Sequence, residues 1–272
     1  MYRLLIALFA LAMATPILAQ SVAGADDTPL VSLQTSDDGR GWAGVGKLML
    51  GTRGFCTGAL IAPQLVLTAA HCLFDKETGA RIDAGKIEFR AGWRNGRAEA
   101  YRGVRRALAH PEYVYGGHEP VDRVGYDLAL LELDQPIRLP SVQPFETDLR
   151  PAEGEVVGIV SYAENRADAP SIQEVCHVLT RRPDMMVLSC NIDFGSSGAP
   201  VFTLRDGVAR VVSVVSAKAE LDGNKVALAV PLEQPLADLR AEMAAGTEAI
   251  RSPTPGVRII SGGAGGAKFV KP

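Results

Sequence analysis

Leu67-Thr68-Ala69-Ala70-His71-Cys72 is a short apolar run that ends on an imidazole and a cysteine. Two later stretches complete it: Tyr126-Asp127-Leu128-Ala129-Leu130-Leu131 and Gly195-Ser196-Ser197-Gly198-Ala199-Pro200. Together they supply a base, a carboxylate and a hydroxyl in the chain order His, Asp, Ser. A serine hydroxyl attacks well at neutral pH only when a neighbouring base takes its proton. A neutral imidazole suits that task, and a buried carboxylate can hold it in the useful tautomer. His71 is therefore the candidate general base and acid, Asp127 the candidate orienter and Ser197 the candidate nucleophile.

The sequence around these stretches reads as strands. Short apolar runs fall at 45–50, 58–61, 66–70, 87–90, 104–109 and 128–133, with turn signals such as Trp93-Arg94-Asn95-Gly96 and Pro63-Gln64 between them. Strands at this spacing argue for an antiparallel barrel or sandwich, not for βαβ units. Residues 134–153 carry Pro136, Pro140, Pro144 and Pro151 with little periodicity, and read as the connection between two domains. A second strand set follows at 155–162, 174–180, 187–190, 200–204, 208–216 and 225–230. Over 231–250, Leu232, Leu236, Leu239 and Met243 recur at helical spacing and predict an amphipathic C-terminal helix. The expected division is a signal peptide at 1–19, a leader or wrapped surface segment at 20–41, an N-terminal barrel at 42–140 and a C-terminal barrel at 141–230. The helix at 231–250 and a Pro- and Gly-rich disordered tail at 251–272 complete it.

Bulk composition narrows the function. The net charge of −3 over 272 residues gives no reason to expect nucleic acid or an anionic membrane as partner. Clustered Arg102, Arg105 and Arg106 read as a solvated strand face. Arg3, the apolar stretch 4–13 and the small-residue site before Gln20 read as a secretory signal, too short to span a bilayer comfortably. A second cut after Ala23-Gly24-Ala25 is open. The mature chain is expected to be soluble, secreted or periplasmic, and without membrane contact once the signal is removed. Four cysteines in an exported chain favour disulfides and permit three pairings. The favoured one is Cys56–Cys72, tying together the strands that deliver His71, with Cys176–Cys190 stapling a hairpin that leads to Ser197. No metal-ligand spacing is evident, so no metal and no organic cofactor are expected.

Each candidate has competitors. His110 precedes Pro111 in a turn-like surface setting, His118 sits in a Gly-Gly loop, and His177 follows a disulfide cysteine. Asp122 lies amid Pro120 and Arg123, and Asp134 opens the proline-rich connection, whereas Asp127 directly precedes an apolar strand. Placing the nucleophile at Ser197 rather than Ser196 puts Gly198 and Pro200 where the tight turn wants them. The amides of Gly195 and Ser197 then become the candidate oxyanion hole.

These motifs resemble the trypsin/chymotrypsin-like serine proteases over roughly residues 42–239, in the bacterial branch with its glutamyl endopeptidase relatives. The resemblance rests on Cys56-Thr57-Gly58-Ala59-Leu60-Ile61 with Leu67 to Cys72, on His110 to Tyr113, on Asp127 to Leu131, on Gly195 to Pro200 and on Val211 to Ser216. It implies an all-β, chymotrypsin-like fold of two six-stranded antiparallel Greek-key barrels with a C-terminal helix, the triad in the cleft between them, and the Cys56–Cys72 bridge. It also implies a polypeptide substrate lying extended along the cleft, with Asn191, Ser216, Ala217 and Lys218 as candidate substrate-binding residues. Two departures stand out. Ser196 occupies the place of the Asp that captures a new N-terminus in zymogen members, so maturation is expected to need only signal removal. Ala217-Lys218 replaces the usual Trp-Gly, so the neighbouring subsites should differ. The expected function is secreted serine endopeptidase. An inactive protease-fold binding protein and an esterase using the same triad are the alternatives, and oligomeric state is open. Base catalysis by a neutral imidazole predicts a rate that falls as the solution is acidified.

Overall fold

The computed structural model describes residues 27–52, 54–116, 124–148 and 151–251, with side chains up to 246. The expected signal and the tail from 252 lie outside the described residues, as do His118 and Asp122.

Strand follows strand with few interruptions. In chain order these are β1 (Val31–Ser32), β2 (Val45–Leu50), β3 (Phe55–Ala62), β4 (Leu65–Thr68), β5 (Ile87–Ala91), β6 (Ala100–Ala109) and β7 (Ala129–Leu133). Then come β8 (Glu146–Thr147), β9 (Val156–Ala163), β10 (Arg166–Arg181), β11 (Met186–Leu188), β12 (Pro200–Arg205), β13 (Val208–Leu221), β14 (Asn224–Pro231) and the helix α1 (Glu233–Arg251). Arg251, expected to open the tail, ends α1 instead.

The first six long strands close into a barrel in the order β2-β3-β4-β7-β6-β5. The second barrel runs β10-β11-β14-β13-β12-β9 and closes through the antiparallel pairing of β9 with β10. One strand shows how the pleat fits this arrangement. Along β5 the buried residues Ile87, Phe89 and Ala91 alternate with half-buried Glu88 and Arg90, so one face of the pleat fills the barrel. Closure pairs off sheet edges that would otherwise invite pairing with other chains, and β1 covers the edge that β10 leaves at Ser171 and Ile172. The barrels share a core: Trp42, Phe145 and Phe202 meet with ring centroids 4.8, 5.0 and 6.1 Å apart. Aromatic contacts of this kind bury large areas in fixed orientations.

Of the two readings for the segment before the first barrel, a leader or a wrapped surface segment, the described part fits the second: β1 pairs with β10, and His177 Nδ1 lies 2.9 Å from the Asp27 carboxylate. Two other sequence readings change. His110 is not at the surface: it is buried and stacked on Tyr126 at 4.7 Å. The arginine cluster is only partly solvated. Arg105 and Arg106 both engage Glu132, and Arg106 Nη2 donates to the Met243 carbonyl of α1 at 2.6 Å. The helix packs against β6 and β7, so an arginine there spends its donors on a neighbouring backbone rather than on water.

Candidate active site

β4 ends at Thr68, and a single 3₁₀ turn, Ala70–Leu73, carries His71 into the space between the barrels. His71 therefore sits one turn beyond the strand rather than on its last residue. The turn is anchored by the Cys56–Cys72 disulfide, and a second disulfide joins Cys176 to Cys190. Cys56, Cys72 and a His71 ring nitrogen lie within 4.8 Å of one another, a spacing that can hold a metal. Both sulfurs are spent in the disulfide, and it is the thiolate that ligates metals.

Asp127 is reached from the other side. A turn closed by Asp127 N–H donating to the Val124 carbonyl at 3.1 Å delivers it just before β7, and it is 2% exposed. A buried carboxylate must have its lone pairs satisfied or it costs several kcal/mol. Here Oδ1 accepts the backbone N–H of His71 at 2.8 Å, and Oδ2 accepts from His71 Nδ1 at 2.7 Å. Ser216 Oγ also donates to Oδ2, at 2.5 Å. Ser216 stands in β13 where the register to β14 shifts between Val215 and Ala217. Such a bulge re-aims a side chain, and here it turns a hydroxyl toward the buried acid. Because a carboxylate only accepts, Nδ1 carries the proton and Nε2 is left as the imidazole's acceptor.

Ser197 is pinned by its backbone. Its carbonyl accepts from Thr57 N at 2.8 Å, next to Cys56, and Gly198 N donates to the Val215 carbonyl at 2.8 Å, next to Ser216. Thr57 Oγ1 adds a bond to the Gly195 carbonyl at 2.9 Å, and Thr68 Oγ1 holds the Thr57 carbonyl at 2.8 Å. The loop is thus tied at once to the strand beside His71 and to the strand that touches Asp127. Among the described residues no hydrogen bond joins the Ser197 hydroxyl to His71 Nε2, and the serine side chain has no other partner.

The turn geometry also presents amide donors. Glu164 N holds the Phe194 carbonyl at 2.8 Å, and Ala199 N holds the Ser196 carbonyl at 2.9 Å. In a trans peptide the N–H points opposite to the C=O. The Gly195 and Ser197 N–H groups are therefore directed away from those bonds, and neither has an acceptor among the described residues. Gly195 adopts φ +96°, with Phe55 ring carbon 2.5 Å from where a Cβ would lie, so only glycine suits the position.

Gly198 is more constrained still. It has φ +78°, and a Cβ there would meet Thr68 Oγ1 at 2.1 Å and the Thr57 carbonyl oxygen at 2.3 Å. The carbonyl belongs to a barrel strand and cannot step aside. Gly198→Ala is expected to cost roughly 2–5 kcal/mol from overpacking and left-handed strain together. An equilibrium urea titration measures it, and a midpoint equal to the parent's would refute the close packing.

A cleft of about 480 Å³ opens beside this arrangement, lined by His71, Asp127, Tyr115, Ser216, Ala217 and Lys218. Lys218 Nζ reaches back across to Asp193 Oδ1 at 2.9 Å and lies 4.2 Å from the Phe194 ring centroid. The lysine hydrogen bond, followed by the Phe194 N–H, holds the Asp193 carboxyl below the usual carboxylate range.

A family model for the trypsin-like peptidase domain matches residues 56–214, more than half the chain. The chain belongs to the trypsin-like peptidases. Among solved structures, this peptidase is similar to a Glu endopeptidase determined in complex with MPD, at 17% identity and a TM-score of 0.63. That match covers 82% of this chain and 100% of the other, and it is a likeness of fold.

Of the residues singled out in the sequence, the structure draws His71, Asp127 and Ser216 into one hydrogen-bonded group, with Ala217 and Lys218 in the adjoining cleft. Gly195 and Ser197 belong to the neighbouring turn and do not line that cleft. Asn191 is exposed, its N–H bonded to Gln173 Oε1 at 2.7 Å, and it does not line the cleft either. Sequence reasoning missed the Thr57 and Thr68 pins, the Asp193–Lys218 pair, and Arg166, whose guanidinium sits behind the Ser196 side chain. Nothing local in the sequence marks these, since each partner lies 11 or more residues away.

Proposed function

We propose that this serine peptidase is an exported endopeptidase that works through an acyl-enzyme on Ser197. His71 Nε2 takes the Ser197 hydroxyl proton as Oγ attacks the peptide carbonyl carbon. Asp127 stabilises the imidazolium that forms, and the Gly195 and Ser197 amides receive the negative charge on the carbonyl oxygen. The imidazolium then gives its proton to the leaving amine as the C–N bond breaks. Water attacks the resulting ester with His71 again as base, releasing the acid and restoring Ser197.

The observation that carries this reading is the Asp127 carboxylate, which bonds the His71 backbone, the His71 ring and Ser216 together while staying 2% exposed. Merely closing a surface turn would not require burying an acid against an imidazole. Ser216, Ala217 and Lys218 supply the edge along which an extended peptide would lie. Lys218 already holds the Asp193 carboxylate, so that acid is not available to select an arginine or lysine side chain. Two disulfides and a family of this kind favour an extracellular or periplasmic setting.

A fluorophosphonate probe tests the assignment. Covalent labelling mapped by peptide mass spectrometry to Ser197 is the expected result. An unlabelled protein favours an inactive binding scaffold, and an adduct on Ser196 refutes the nucleophile assignment. Labelled protein that cleaves simple esters but leaves casein intact is an esterase.

A further inference from the structure

Ser196 stands where zymogen members place an acid, and its surroundings show what replaces that acid's partner. Its side chain is fully buried. The hydroxyl lies 3.2 Å from the Tyr162 carbonyl and accepts the Asp193 N–H at 3.3 Å and Arg166 Nη2 at 3.1 Å. Arg166 opens β10, just past the β9–β10 turn at Glu164 and Asn165. Among the described residues its other bonds go to Ser161, Nη1 to the carbonyl and Nη2 to Oγ at 2.8 Å.

This is an unusual use of a guanidinium. Burying a cation is costly unless a carboxylate compensates it, yet the three acceptors of Arg166 among the described residues are neutral. Burial pushes its guanidinium down to about 10, and the Asp193 charge opposes that shift while Asp193 itself is held by Lys218. Arg166 is still a full cation at neutral pH. The charge therefore bonds the side chain of Ser196, between the Gly195 and Ser197 amides, neither of which has an acceptor among the described residues. The same hairpin grips the turn a second time, through Glu164 N on the Phe194 carbonyl.

We propose that Arg166 is the positioning residue of this turn: through Ser196 it holds the Gly195 and Ser197 amides as oxyanion donors, with no N-terminal ammonium needed. The inference rests on the acyl-enzyme reading above. It explains why Ser196 is buried and polar, and how the turn reaches its donor arrangement in a chain that lacks the zymogen acid. A preorganised positive charge behind the donors also favours the negative charge that develops in front of them.

The test measures kcat and KM for a peptide substrate, together with the dissociation constant of a peptide aldehyde. The aldehyde's hemiacetal with Ser197 places an oxygen where the oxyanion forms. Arg166→Ala is expected to lower kcat by roughly 10- to 100-fold, less than the 10²–10³-fold seen when a whole oxyanion donor is lost elsewhere. KM should change by less than about threefold, while aldehyde affinity falls in parallel with kcat. Arg166→Lys should recover part of both losses, since a charge returns without the planar fork. Ser196→Ala should reproduce part of the kcat loss, and it decides the matter should Arg166→Ala not fold. If Ser196→Ala, or a folded Arg166→Ala, keeps kcat and aldehyde affinity within twofold of the parent, the role of Arg166 is overturned. A parent protein that neither turns over substrate nor takes the fluorophosphonate probe overturns the peptidase reading itself.

Discussion

Replacing Ser197 by alanine is expected to lower kcat on the order of 10⁶-fold, as loss of the nucleophile does in another triad protease. The structure explains why so large a functional loss should come with no loss of stability. The Ser197 side chain makes no hydrogen bond among the described residues, and the turn is held by main-chain groups and by the side chains of Thr57 and Ser196. Removing one oxygen therefore leaves the Thr57–Ser197 and Gly198–Val215 bonds in place. The measurement is initial-rate hydrolysis of casein or a chromogenic peptide, paired with a thermal melt. Residual hydrolysis above about one per cent of the parent rate would mean that the attacking group is elsewhere. A collapsed melt would mean that the hydroxyl has a structural task not visible in its contacts.

Asp127→Asn is the second large effect, about 10⁴-fold in kcat by analogy with the same change in a related triad. The amide is nearly isosteric, so the packing around residue 127 should survive. Its chemistry differs in one respect. The carboxylate accepts at both oxygens, taking the His71 N–H at one and the ring nitrogen and Ser216 hydroxyl at the other. With its oxygen kept for the backbone N–H, the amide turns a donor toward Nδ1, which must then be unprotonated. The ring proton moves to Nε2, where a base is wanted. The imidazolium, when formed, also loses the charge that stabilised it. Single-turnover kinetics with an activated ester separate this loss from substrate binding. KM should stay close to the parent's, and a kcat within tenfold of it would remove Asp127 from the mechanism.

Much of this was readable before any coordinates. The apolar runs in 45–133 and 155–230 each fall on a barrel strand, because short apolar stretches between turn signals are written residue by residue. The front half of β10 was not read as strand. Asp168 and Pro170 break its pattern, and the register slips between Arg166 and Ser171, so its pairing with β9 and β1 rests on partners far away in sequence. β1 escaped notice for a related reason: two exposed residues carry no periodic signal, and the strand exists only because β10 offers its edge. The His110-Pro111 turn has the local sequence of a solvated loop, and only the stacking of Tyr126 over the ring buries it.

The candidate site divides along the same line. His71, Asp127, Ser197, Gly195 and Gly198 each sit in a local motif, since a strand end, a turn before a strand or a tight glycine turn depends on immediate neighbours. By itself the sequence determined the class of fold, the chemistry on offer and the cysteine pairing it favoured. The tertiary structure alone decided that Ser216 completes the Asp127 group, that Lys218 holds Asp193, and that Arg166 stands behind Ser196. Hydrogen bonds between residues 25 to 89 positions apart depend on how two barrels close and meet, and no run of neighbouring residues encodes that distance.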